Sequence, residues 1–171
     1  KDLILVLRRP NLDKINKSLE LRKTILKWAS SKEIYIDIDI DTQKEEVIFW
    51  KEENLSLHII ASHHNYQLTP EVEELKNIYE RLSQTDPEIV KIATFCNSAK
   101  DSINLFVLQE YIKSKNKKHI VLGMGEHGTP TRIFGTIWGN EILFAPREKN
   151  NESAPNQLTI QECNAIFSKI E

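Results

Sequence analysis

Short apolar runs recur along the chain, separated by stretches in which apolar residues fall three and four positions apart. The runs at residues 3–7, 34–40, 57–61, 89–94, 119–123 and 142–145 read as strands. Between them, Ile15, Leu19, Arg22 and Leu26 share one helical face, as do Val72, Leu75, Ile78, Tyr79 and Leu82. Asn97-Ser98 and residues 153–156 lead into the later helices, and Thr69-Pro70 places a cap and a proline at a helix start. Alternating strand and helix patterns predict a parallel sheet with helical crossovers: six βα units in a single domain over residues 1–171. Six units fit an open doubly wound sheet, or three quarters of an eight-unit barrel lacking its first two units. In both, function collects on the loops after the C-terminal ends of the strands.

One strand departs from the apolar pattern. Ile89-Val90-Lys91-Ile92-Ala93 carries a lysine inside the run, and burying an ammonium without a partner is costly. Two explanations fit: an edge lysine that blocks aggregation, or a desolvated amine that attacks a ketone to form a Schiff base. The polar residues at strand ends widen the choice. His63 and His64 follow the third run, where one can face a ligand while its neighbour points away, as a general base or as an exposed loop pair. Asp37 and Asp39 share one strand face, which suits a metal or acid–base site, or the polar interior of a barrel in which they meet Lys91 or Arg8. No histidine is spaced to complete a metal shell with them.

Gly123-Met124-Gly125-Glu126-His127-Gly128 matches the GxGxxG pattern of dinucleotide-binding turns. The match is rejected because Thr129-Pro130 follows, so the helix starts there instead of already running at the third glycine. These glycines are expected to shape a loop carrying Arg132. That residue is either a surface arginine or a planar fork for a carboxylate or phosphate.

Composition narrows the partners. Of 171 residues, 40% are hydrophobic and 28% charged, which is enough apolar material for one core, and the net charge of -2 offers no field for nucleic acid or an anionic membrane. The lysines between 113 and 118 read as a solvated helix end. Cys96 and Cys163 have neither disulfide-framework nor zinc-ligand spacing, which fits a reducing cytoplasm. No apolar run approaches a membrane span, and the opening residues read as a core strand, so further residues are expected upstream.

Taken together, the motifs resemble the type I 3-dehydroquinate dehydratases, the Schiff-base enzymes of the shikimate pathway. That family shows Ser-x-His-Asp-Phe followed by Thr-Pro, and this chain has Ser62-His63-His64-Asn65-Tyr66 with Thr69-Pro70. It shows a Lys-Ile-Ala strand, here Lys91-Ile92-Ala93, and a Met-Gly-x-x-Gly loop reaching Ser-Arg, here running from Met124 to Thr131-Arg132. It ends on Phe-Ala and Ser-Ala-Pro-Gly-Gln, here Phe144-Ala145 and Ser153-Ala154-Pro155-Asn156-Gln157.

The resemblance implies an α/β fold, the (β/α)8 TIM barrel, with the first two βα units missing from this chain. The Glu-x-Arg motif of those units has no match here, so about 75 residues are expected upstream, or the chain is a fragment. Carried over, Lys91 condenses with the ketone of 3-dehydroquinate and His64 moves the protons. Arg132 pairs with the substrate carboxylate, while Arg8, Ser153 and Gln157 hold its oxygens under a closing loop. The resemblance implies a small-molecule substrate, no metal, no diffusible cofactor, and a cytoplasmic homodimer. Departures are also visible. No acidic residue is evident in Arg8-Arg9-Pro10-Asn11-Leu12, Asn65 replaces an aspartate, and Asp39 stands where glutamate is common. Asn156 replaces a glycine and is expected to restrict the loop. A class I aldolase-type enzyme, which would share Lys91 but need a phosphate site, and an inactive barrel fragment are the alternatives.

Overall fold

The computed structural model describes residues 3–7, 17–154 and 156–170. Five strands, β1 (Ile4–Val6), β2 (Tyr35–Asp39), β3 (His58–Asn65), β4 (Ile89–Phe95) and β5 (His119–Met124), form one parallel sheet. They lie in sequence order, each beside the next. A doubly wound sheet reverses its order at a switch point; a winding that never reverses is that of a barrel wall. Six helices accompany the strands: α1 (Leu19–Ala29), α2 (Lys44–Glu52), α3 (Val72–Ser83), α4 (Ala99–Ser114), α5 (Thr129–Ile137) and α6 (Ile160–Ile170).

Strand side chains alternate between two faces, and each face has its own apolar layer. On the outside, Ile36, Ile38, Ile59, Ala61, Val90, Ile92 and Val121 pack under Leu26, Leu75, Leu82, Leu105 and Leu108 of the helices. Each fully buried leucine or isoleucine contributes about 1.5–3 kcal/mol, so this layer carries most of the fold's hydrophobic stabilisation. The inner layer is smaller: Ile60, Ile89, Ala93, Ile120, Leu122 and Met124, joined by Ile142, Phe144 and Ala154. Above it the inner face turns polar.

Register decides which polar groups meet there. Asp39 lies beside Ser62, and Ser62 beside Lys91, so adjacent strands present these residues on the same face. β3 runs on through Ser62-His63-His64-Asn65, paired with β4 as far as Thr94. The two histidines therefore stand on a strand and not on a loop.

Residues 142–145 do not form the expected sixth strand. The Asn140 side chain takes both polar groups of Val121, accepting its N–H at 2.8 Å and donating to its carbonyl at 2.9 Å. Glu141 N–H reaches the His119 carbonyl at 2.9 Å, and the strand ladder stops there. The described residues thus hold five strands where six were expected. Two cap assignments also shift. Thr69 Oγ1 bonds Thr94 at 2.7 Å and the Phe95 carbonyl at 3.0 Å, so it ties the loop to β4 and leaves α3 to start behind Glu71. α6 begins only at Ile160, behind a Thr159–Glu162 pair in which the carboxylate accepts the Thr159 N–H at 2.8 Å. Ser98 does cap α4, through a reciprocal capping box with Asp101.

Candidate active site

Lys91 projects from β4, which is flanked by β3 and β5 and is not an edge. The edge-lysine explanation therefore fails. The residue is 8% exposed, and its Nζ lies 2.7 Å from Asp37 Oδ2 and 4.5 Å from the centroid of the Phe144 ring. Asp37 Oδ1 accepts from Ser62 Oγ at 2.5 Å. One carboxylate oxygen is thus fixed by Ser62 while the other holds the amine, which makes burial of both charges tolerable.

His64 stands two residues beyond Ser62 on the same face of β3. Its Nδ1 is 2.9 Å from Asp39 Oδ2, and its ring stacks on Tyr66 at 5.9 Å between centroids. Asp39 Oδ1 accepts from the Thr42 hydroxyl at 2.9 Å and from the Thr42 N–H at 3.2 Å. With Nδ1 engaged by a fixed carboxylate, the tautomer is set and Nε2 becomes the nitrogen for proton transfer. His63 faces the other way. Its Nδ1 is 2.5 Å from Asp41, which also pairs with Arg81. Burial pushes the Asp41 carboxyl up, but hydrogen bonds from Arg81 and His63 outweigh it and hold that carboxyl below its usual range.

Arg132 arrives through the glycine-rich loop. A Cβ added to Gly128 would sit 2.4 Å from the carbonyl carbon of Gly123, so the two backbones meet only because both residues are glycine. Thr131 Oγ1 donates to the Gly128 carbonyl at 2.7 Å and accepts the Gly123 N–H at 2.6 Å, locking the first turn of α5 against the end of β5. Arg132, next in that turn, is 3% exposed, and its Nε and Nη2 have no hydrogen-bond partner among the described residues. Burial lowers its pKa to about 10. A buried guanidinium without an anion is a poor structural element and a good anion receptor.

The loop before α6 closes on itself. Gln157 Oε1 accepts the Ser153 N–H at 2.8 Å and its hydroxyl at 3.2 Å, and Gln157 Nε2 donates to the Phe144 carbonyl at 3.2 Å. Asn156 takes φ +58°, a left-handed conformation that asparagine adopts more readily than other non-glycine residues. The restriction expected from losing the glycine is therefore small.

Lys91, His64, Arg132, Ser153 and Gln157 all line one cavity of about 130 Å³. Arg8, the remaining candidate, lies outside the described residues, as do Ile15 and Pro155. Asp37, Asp39 and Gln43 line the same cavity; of these, the pairing of Asp39 with His64 and the whole of Gln43 escaped the reading of the sequence. Strand alternation places both aspartates on the correct face, but only register shows which partner each meets. Among the described residues no group of three or more His, Cys, Asp or Glu side chains could hold a metal ion, and no helix is long and apolar enough to cross a membrane.

Parallel strands in sequence order, with a buried lysine, a carboxylate-held histidine and a buried arginine gathered at their C-terminal ends, define an enzyme of the TIM-barrel class. The chain belongs to the type I 3-dehydroquinase family, whose model matches residues 3–171. It is 33% identical over 158 residues to the 3-dehydroquinate dehydratase of Methanococcus vannielii, covering 91% of this chain and 69% of that protein. Against that of Methanocaldococcus jannaschii it is 36% identical over 135 residues, or 78% of this chain and 59% of that protein. Among solved structures, the 3-dehydroquinate dehydratase of Geobacillus kaustophilus superposes with a TM-score of 0.81 at 21% identity, covering 98% of this chain and 66% of that one. At that identity the likeness is one of fold. The chain spans about two thirds of the length of the first relatives it matches.

Proposed function

We propose that the protein dehydrates 3-dehydroquinate to 3-dehydroshikimate, a hydro-lyase step of the shikimate pathway, through a Schiff base on Lys91. The observation that carries this reading is the meeting in one cavity of a buried lysine amine, a histidine held by a carboxylate, and a buried guanidinium with no anion beside it among the described residues. Family membership supplies the substrate.

Arg132 takes the substrate carboxylate and thereby sets the ring's orientation. Asp37, 2.7 Å from Nζ, accepts the ammonium proton, and the free amine attacks the ketone carbon. Loss of water from that adduct leaves an iminium, whose positive charge sits near the Phe144 ring face that now lies 4.5 Å from Nζ. His64 Nε2 removes a proton from the adjacent carbon, and the electron pair moves into the iminium to give an enamine. The pair then returns and expels the hydroxyl one carbon further on, which leaves as water with the proton that His64 carries. Hydrolysis of the conjugated iminium frees the product and restores Lys91. Asp39 keeps Nε2 aimed at the reacting carbons throughout. The Ser153 hydroxyl and the second N–H of Gln157 hold substrate oxygens, and the family resemblance adds Arg8 as a further cation for them.

A steady-state assay of the conjugated ketone product tests the reading. Lys91→Met is expected to lower kcat by more than ~10³-fold, because the covalent route is lost. A Lys91→Met protein that turns over like the parent overturns it. The family resemblance and the cysteine usage support a cytoplasmic homodimer as part of the same proposal; light scattering at twice the chain mass is the expected result.

A further inference from the structure

Among the described residues, several buried side-chain polar groups lack a hydrogen-bond partner, and two of the residues concerned line the cavity: Arg132 and Gln43. Arg132 has been accounted for by a carboxylate. Gln43 has not, although it carries the same signature. It precedes α2 and is 3% exposed. Its Oε1 accepts the Asp39 N–H at 2.9 Å, which fixes the orientation of the amide, since the reverse orientation would set N–H against N–H. Nε2 is therefore the unmatched end, a donor shielded from water and without an acceptor among the described residues. Buried donors are almost always matched, so this one calls for an acceptor from elsewhere.

Its surroundings say which acceptor. The Asp39 residue whose N–H pins Gln43 also holds His64 through its carboxylate, so the amide belongs to the His64 side of the cavity wall. We propose that Gln43 is a substrate-contacting residue, its Nε2 donating to a ring hydroxyl of the bound hydroxy-ketone on the His64 side. This rests on the reading of the site given above. A hydroxyl oxygen completes the donor, whereas a ring carbon without oxygen at that place leaves it buried and unmatched. Gln43 thereby selects hydroxylated rings over deoxy ones.

Two variants separate contact from scaffold. Gln43→Glu keeps an oxygen for the Asp39 N–H but has no donor at neutral pH; Gln43→Met lacks both and keeps the length of the side chain. KM and kcat are measured with 3-dehydroquinate, and competitive inhibition constants with analogues that each lack one ring hydroxyl, since the analogue without the expelled hydroxyl cannot turn over; the melting temperature of each variant is measured alongside. Both variants are expected to raise KM about tenfold for the full substrate, Glu at least as much as Met. The penalty should vanish for the one analogue that lacks the contacted hydroxyl. If Gln43 only braces Asp39, the order reverses: Glu behaves as the parent protein and Met is impaired, which overturns the proposal. A penalty that is equal on every analogue overturns it as well. Parental turnover with unaffected Gln43 variants sinks this proposal alone, while a parent protein that neither turns over nor forms a borohydride-trapped adduct sinks the Lys91 reading with it.

Discussion

The inner face of the sheet is polar at both ends, and the two ends are built differently. At the N-terminal end, Glu88 accepts the Tyr35 hydroxyl at 2.8 Å, meets His58 Nδ1 at 2.9 Å and lies 3.7 Å from Lys118 Nζ. His58 Nε2 lies 3.5 Å from Glu33. Every member of that set has a counterpart. At the C-terminal end Lys91 and His64 are matched, but the cavity-lining residues Arg132 and Gln43 carry buried donors with nothing to accept them among the described residues. A closed set of charges serves the fold; an open set, short of acceptors, serves a ligand that brings oxygen. On the proposed function, stability and function are divided between the two ends of the same strands.

Arg132→Met gives the sharpest break. Removing the guanidinium that the proposed function offers to the substrate carboxylate is expected to weaken binding by about 2–5 kcal/mol, so that KM rises by at least about 30-fold. The same change should raise the melting temperature, because an unpaired buried cation is removed and its apolar stem is kept. A protein destabilised by this substitution would contradict the contrast. Glu88→Ala reverses the pattern. It is expected to cost about 2 kcal/mol in urea unfolding by stranding Tyr35 and His58, and to leave kcat/KM unchanged.

A third expectation concerns pH. Burial first, and then Glu88, push the Tyr35 phenol up to about 12 from an ordinary 10.0. Between those values the folded chain keeps a proton that the unfolded chain has lost, so this contribution to stability is complete below pH 10 and is lost as pH rises through about 12. A spectrophotometric titration should show one tyrosine ionising late, and Tyr35→Phe should remove that phase. Arg132 carries the opposite sign. Its pKa falls to about 10, so its burial weighs on the fold at neutral pH, and that burden eases as pH climbs past 10 or when an anion binds. The smallest effect belongs to the loop. Asn156→Ala, at φ +58°, should cost about 1 kcal/mol, and Asn156→Gly should cost nothing measurable.

How much of this was legible in the sequence depends on how local each cause is. Alternation along a strand is local, so Asp37 and Asp39 could be set on one face and Lys91 recognised as out of place. The glycines at 123 and 128 and the proline at 130 were legible for the same reason, and they do deliver Arg132. Register is not local. That Asp37 meets Lys91 while Asp39 meets His64 follows from the alignment of β2, β3 and β4, which no single run encodes. Gln43 was hidden because α2 was: its apolar residues Val47, Ile48, Phe49 and Trp50 are contiguous and show no helical spacing. The sixth strand was read from apolar character alone, and the competing side chain of Asn140 took the pairing it needed.

The central claim is a covalent one, and borohydride reduction in the presence of 3-dehydroquinate tests it directly. Peptide mass spectrometry should find the reduced adduct on Lys91 and on no other lysine. An adduct on a different residue, or substrate turnover with no adduct at all, would contradict the account.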